Sequence, residues 1–202
     1  MKIRTWLSTI LVLAGVVILA IGVWQITNTN KKTNETLSKA KNMLAQKNAI
    51  PQQKNNQQDQ QVKQGENKPP QIGDTMGILE IPRIKAELAI VEGTDPDDLE
   101  KGVGHYKGSS LPSQNGQIVL SGHRDTVFRH LGELKIGDKL IVKVANGSFS
   151  YKITHTKIVD SKDTSIITLQ KDHEELILTT CYPFRYIGNA PKRYIIYANP
   201  VK

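Results

Sequence analysis

The sequence predicts an all-β fold: a closed β-barrel of about eight strands with one or two short helices, carried behind an N-terminal transmembrane helix. Three observations predict it. An apolar run of membrane-spanning length stands at the N-terminus, and a segment poor in apolar residues follows it. From residue 73 to 202, short β-branched runs alternate with Gly, Pro, Asn, Asp and Ser turns, the pattern of many short strands.

Trp6–Trp24, WLSTILVLAGVVILAIGVW, carries no charge and is about the length needed to cross a hydrocarbon core as a helix. A tryptophan at each end suits the membrane interface, and Lys2 and Arg4 before it favour a cytoplasmic N-terminus with the rest of the chain outside. A cleaved signal peptide is the rival. Its small-x-small site would be Ala20-Ile21-Gly22, but that lies inside the apolar run rather than after it. A lipoprotein anchor needs a cysteine just beyond the run, and none stands there. Residues 1–27 are therefore expected to be a cytoplasmic terminus and retained anchor in the cell membrane.

Residues 28–72 are rich in Gln, Asn and Lys, and Pro51–Pro70 holds one aliphatic residue, Val62. Such a stretch buries too little apolar surface to offset its ordering entropy, so a flexible linker is expected, with a marginal helix at Asn34–Lys47. Charge divides along the same boundary. Residues 1–72 hold 10 Lys+Arg and 3 Asp+Glu, residues 73–202 hold 17 and 16, and the two parts sum to the net +8 of the chain. The basic excess belongs to the tether, and the head carries no nucleic-acid footprint.

Within the head, strands are expected at Thr75–Ile81, Ala86–Glu92, Gln117–Ser121, Lys139–Val144, Phe149–Val159, Glu174–Thr180 and Lys192–Tyr197. Asn146-Gly147 suits a type I′ hairpin turn. One short helix is expected at Asp95–Lys101 and a second after Asp125, through TVFRHL. No Gly-rich loop follows a strand and no long helix alternates with strands, which excludes a nucleotide-binding α/β fold and favours the barrel. His-Arg-Asp at 123–125 also occurs in protein kinases, but the Asn required five positions after the Asp is here His130.

Cys181 is the only cysteine, so no internal disulfide is possible. It closes an apolar strand, Pro183 stops that strand, and an antiparallel return would bring Arg193 alongside. A thiol needs a base or an imidazolium to act as a nucleophile near neutral pH. His105, His130, His155 and His173 sit in polar or turn contexts and read as surface residues. His123 instead follows the apolar strand GQIVLS, so its imidazole leaves a strand end as the thiol does.

LSGHRDTVF, LTTCYPF and KRYIIYA, in this order and spacing, resemble the sortase family of Gram-positive cysteine transpeptidases. The TLxTC motif of that family is matched by Ile177-Leu178-Thr179-Thr180-Cys181, departing at the first position, and the resemblance runs from about Ile78 to Tyr197. The single N-terminal anchor, the short PFRYIGNAPKRY connection and GHRDTVF look most like class D. The resemblance implies that residues 73–202 are the catalytic domain of a membrane-anchored enzyme with its active site outside the cell. It would cleave an LPxT-type sorting signal after Thr through a thioacyl intermediate and pass the acyl group to a cell-wall amine or a lipid-linked precursor amine. Cys181 would be the nucleophile and His123 the general acid and base. Arg193 would donate to substrate or oxyanion, in preference to Arg185, which falls in a loop. The loop Asp160–Asp172 is implied in substrate binding, with Ile166, Ile167 and Leu169 offering apolar contacts or serving as core. Thr180 would align substrate or serve the ladder. No metal, cofactor or nucleic acid is expected. Two other readings stand beside it: a cysteine peptidase that uses the same residues to release surface proteins by hydrolysis, and a non-catalytic tethered binding module whose cysteine is buried.

Overall fold

The computed structural model describes residues 2–48, 69–186 and 188–201. It opens with one continuous helix, α1 (Lys2–Asn48). Eight strands follow: β1 (Thr75–Ile81), β2 (Ala86–Glu92), β3 (Val103–His105), β4 (Gln117–Ser121), β5 (Lys139–Val144), β6 (Gly147–Asp160), β7 (Glu175–Tyr182) and β8 (Lys192–Pro200). A single helical turn, α2 (Pro96–Leu99), lies between β2 and β3, and 3-10 turns stand at Pro82–Ile84 and Leu131–Glu133. The strands close in the order β1-β2-β3-β4-β7-β8-β6-β5, with β5 pairing back to β1. Closure removes the free edges that an open sheet would expose.

Alternation along each strand sorts side chains between the barrel interior and its outer face. Leu79, Ile81, Leu88, Ile90, Ile118, Leu120, Leu176 and Leu178 fill the interior together with Tyr151 and Phe128. The intervening residues Ile78 and Ala89, paired across β1 and β2, face outward.

That outer patch explains where the structure departs from the expected linker. Residues 28–48 continue α1, and Leu37, Ala40 and Leu44 lie over Ile78 and Ala89. Ala40 is fully buried, because two alanines and an isoleucine allow helix and sheet to approach closely. Lys32–Glu100 at 2.6 Å and Lys41–Glu87 at 2.5 Å flank the contact. Burial of one helical face thus orders a stretch whose composition reads as a tether. The remainder of the expected linker, 49–68, lies outside the described residues.

Three further departures have local causes. β3 was not expected because Gly102 and Gly104 dilute its pattern. Both glycines are required there, since a Cβ at Gly104 would collide with the Gly93 carbonyl. The β5–β6 turn is Ala145–Asn146, one residue ahead of Asn146-Gly147, because Gly147 already pairs with Val144. The expected helix after Asp125 is instead a series of turns leading into Leu131–Glu133. The N–H groups of Thr126 and Phe128 both return to the His123 carbonyl, and Phe128 is drawn into the core.

Candidate active site

β4 and β7 run parallel, with Ser121 opposite Thr179, so both strands leave the barrel at the same end. His123 follows β4 by two residues, and Cys181 stands two residues past Thr179. β8 returns antiparallel to β7 and sets Arg193 directly opposite Cys181. Directly opposed residues carry Cβ atoms about 4.5–5.5 Å apart on one face. His123, Cys181 and Arg193 line one external groove of about 370 Å³, with Arg124, Asp125, Ser161 and residues 188–190 completing its walls.

His123 is held through its backbone. The Gly122 N–H donates to the Thr179 carbonyl at 3.1 Å, and the Thr180 hydroxyl donates to the Gly122 carbonyl at 2.7 Å. On the other side, the Phe128 N–H donates to the His123 carbonyl at 3.0 Å. Gly122 has no room for a side chain, since a Cβ there would lie 2.6 Å from the Phe128 ring. Position 123 is therefore tied to the strand that carries Cys181 and to the buried core.

Cys181 is a free thiol and half-buried. It shares the outer face of β7 with Ile177, four residues back, while Leu176, Leu178 and Thr180 turn inward. The cysteine is thus presented at the groove and is not sealed in the core. Arg193 is half-buried, and its Nη1 donates to the carbonyls of Ala190 at 3.2 Å and Lys192 at 3.0 Å. Arg185 is exposed in the β7–β8 connection and does not line the groove.

Arg124, next to His123, reaches across to the β7–β8 connection. Its guanidinium donates to the carbonyls of Pro183 at 3.2 Å and Gly188 at 2.8 Å, and it lies over the Tyr186 ring. One side chain next to His123 thereby clamps the loop that joins the cysteine strand to the arginine strand. The sequence offered a signal for it, a charged residue beside the catalytic candidate, but no indication of its carbonyl partners.

None of the four candidate substrate contacts lines the groove itself. Thr180 is buried and spends its hydroxyl on Gly122, so it positions the histidine segment instead of facing the groove. Ile166 is buried with Val159, Ile177 and Ile195, and Ile167 packs half-buried against the same cluster. This cluster covers the outer face of β6, β8 and β7 next to the groove, but neither isoleucine lines the groove itself. Leu169 is turned away in a left-handed backbone conformation, its N–H bonded to the buried Gln117 side chain. Gln117 also accepts from the Thr168 N–H and donates to the Ile166 carbonyl, which pins this loop. Near the loop's start, the Asp163 carboxyl is held below the usual range by the Ser165 hydroxyl and N–H.

His105 also departs from its expected surface position. It lies inside the barrel with Nδ1 2.6 Å from a Glu92 carboxylate oxygen and Nε2 facing the Ser110 carbonyl and the Ser109 hydroxyl. This buried pair is not part of the groove.

A thiol, an imidazole and a guanidinium on one cleft can support acyl transfer through a sulfur nucleophile, with the imidazole moving protons and the guanidinium facing developing negative charge. The comparisons name the class more narrowly. A sortase-domain family model matches residues 79–201. The chain is 58% identical to Sortase D of Bacillus subtilis over 191 residues, which is 95% of this chain and 96% of that protein. It is 30% identical to Sortase A of Staphylococcus aureus over 135 residues, 62% of this chain and 65% of that one. Among solved structures, a Clostridium perfringens Sortase D5 transpeptidase superposes with a TM-score of 0.67, covering 85% of this chain and 99% of the other. At 22% identity that likeness bears on the fold alone. The chain belongs to the sortase family of transpeptidases, and its similarity to Sortase D extends over nearly its whole length.

Proposed function

We propose that this protein is a membrane-anchored class D sortase. It cleaves an LPxT-type sorting signal after the threonine and joins the released protein to a cell-wall amine. The observation that carries this reading is the convergence of Cys181, Arg193 and His123 on one outward groove through β4, β7 and β8. The Cys181 thiol gives its proton to His123 as Sγ attacks the threonine carbonyl carbon, and the π electron pair of that carbonyl moves onto oxygen. Arg193 faces the resulting oxyanion or the adjacent peptide. His123 gives a proton to the departing amine as the C–N bond breaks, leaving a thioester on Cys181. An incoming amine then loses its proton to His123 as it attacks the thioester, and the C–S bond breaks with that proton passing to sulfur, which restores the thiol.

The apolar cluster beside the groove suits the Leu-Pro part of the signal. Ile167, left half-buried at its edge, is the loop residue placed to meet that part. α1 supports the anchor: Ile10–Gln46 contains a stretch long and apolar enough to cross a membrane, and Leu11, Val12, Leu13, Ile18 and Leu19 stand exposed along it. Lys2 and Arg4 before the run support an N-terminus inside and a barrel outside.

The test is mass spectrometry of the purified chain with a panel of LPxT-type peptides, with and without a diaminopimelate-containing stem peptide. The expected result is a thioacyl adduct on Cys181 that passes to the amine. Turnover to the free acid alone, whatever amine is supplied, would establish a hydrolase. No adduct across the panel, with Cys181 resistant to alkylation in the folded chain, would establish a binding module.

A further inference from the structure

A second cleft, about 620 Å³ in volume, lies between α1 and the barrel and is walled in part by the segment that follows His123. Gln25 and Asn30 of α1 form one side; Lys85, Arg129 and His130 stand on the other, and Asp125 lines this cleft as well as the groove that holds Cys181. We propose that this cleft binds the phosphate of an anionic lipid headgroup. The inference rests on the reading of α1 as a membrane span.

Depth is the first argument. The apolar run ends at Trp24, a residue type that marks the membrane interface. At a rise of about 1.5 Å per residue, Gln25 to Asn30 lie roughly 2–9 Å beyond it along the helix axis. The polar headgroup layer on each side of a bilayer is about 5–8 Å thick. The α1 side of the cleft therefore stands at headgroup level. Because α1 is fastened to β1 and β2 through Ala40, Leu37 and Leu44, the barrel side is carried to that level too.

Charge is the second argument. Among the described residues, neither Lys85 nor Arg129 takes part in an ion pair. Arg129 is braced by donating Nε and Nη2 to the Asp125 backbone carbonyl, which leaves its charge uncompensated and its guanidinium fixed. Lys85 sits in a left-handed conformation at the end of the Pro82–Ile84 turn, which projects it from the β1–β2 corner. Two cations beside the amide side chains of Gln25 and Asn30 make a donor-rich cleft, and a phosphate oxygen at a low-dielectric boundary is the acceptor that suits it. Asp125 is the acidic residue that lines the same cleft, and Glu133, outside its lining, holds the His130 ring. Because Asp125 belongs to both clefts, a bound headgroup is one wall away from the thiol.

The experiment uses the full chain in non-ionic detergent micelles doped with phosphatidylglycerol, with a neutral glycolipid, or with neither plus inorganic phosphate. Native mass spectrometry counts retained lipid, and amide hydrogen exchange follows residues 125–130. One phosphatidylglycerol should remain bound and should slow exchange at 125–130 several-fold, and the glycolipid should do neither. The double variant Lys85→Gln with Arg129→Gln should lose the adduct. Equal protection by inorganic phosphate would make this a free-anion site and overturn the lipid assignment. Equal retention of the glycolipid, or no change in exchange in the unsubstituted chain, would overturn the proposal without reference to the variants' folding. Flotation of the full chain with vesicles separates the underlying reading. A chain that fails to float refutes the membrane span, whereas one that floats without the phosphatidylglycerol effect refutes only the cleft.

Discussion

Replacing Thr180 with valine tests how the histidine is placed. Valine keeps the shape and β-branching of threonine but removes the hydroxyl that donates to the Gly122 carbonyl at 2.7 Å. Thr180 is only 3% exposed, so the carbonyl is left in a site that water reaches poorly. An unmade buried hydrogen bond costs about 1–3 kcal/mol. For a domain of this size that corresponds to a fall in Tm of roughly 4–12 °C. The catalytic effect should be larger than the thermal one. Gly122 precedes His123, and a displacement of about 1 Å in a reacting group can cost on the order of 100-fold in rate. In steady-state cleavage of a sorting-signal peptide, Thr180→Val should lower kcat by that order with little change in KM. Thr180→Ser, which keeps the hydroxyl, should recover most of kcat while remaining slightly less stable. If Thr180→Val instead raises KM and leaves kcat and Tm unchanged, the hydroxyl contacts substrate and the positioning argument is refuted.

Other consequences are open to measurement. Arg193→Gln should lower kcat by roughly 100- to 1000-fold, as loss of an oxyanion donor does, while Arg185→Gln should stay within a few-fold of the parent; steady-state kinetics on both compares them. Arg124→Gln should release the Pro183 and Gly188 carbonyls, and limited proteolysis should then cut within 183–191 faster than in the parent. Ala40→Trp should force α1 off Ile78 and Ala89, because the helix–sheet contact has no space for an indole, and hydrogen exchange over 30–46 should rise sharply. Tyr151 titrates above its ordinary value of 10.0, first because it is buried and then because its hydroxyl is bonded to Glu174. The unfolded chain gives up that proton near pH 10 and the folded chain does not, so stability should be level below pH 10 and fall as pH rises beyond it. Chemical denaturation of the parent and of Tyr151→Phe across that range should show a shallower decline in the variant.

The strands and the candidate site residues were legible in the sequence for a local reason. Alternation and turn residues mark strands one segment at a time, and β1, β2, β4 and β5 stand at the expected bounds. Cys181 and His123 were legible because each follows an apolar strand, a position that presents a side chain at the barrel's end. β3 was missed because its glycines answer to a backbone brought close by β2, which is a fact about another part of the chain. Thr180, Ile166 and Leu169 were left open between substrate contact and core or ladder for the same kind of reason. Which face a residue takes, and what lies there, depends on register and on the Gln117 side chain that pins the loop.

By itself the sequence determined the apolar N-terminal segment, the β character of residues 73–202 and the residue types available for chemistry, since each follows from local composition and periodicity. The tertiary structure decided that β4 and β7 run parallel, that β8 sets Arg193 against Cys181, and that residues 28–48 form a docked helix. Those outcomes come from pairing and burial between segments far apart in the chain, whose free energy belongs to the contact and to neither segment alone.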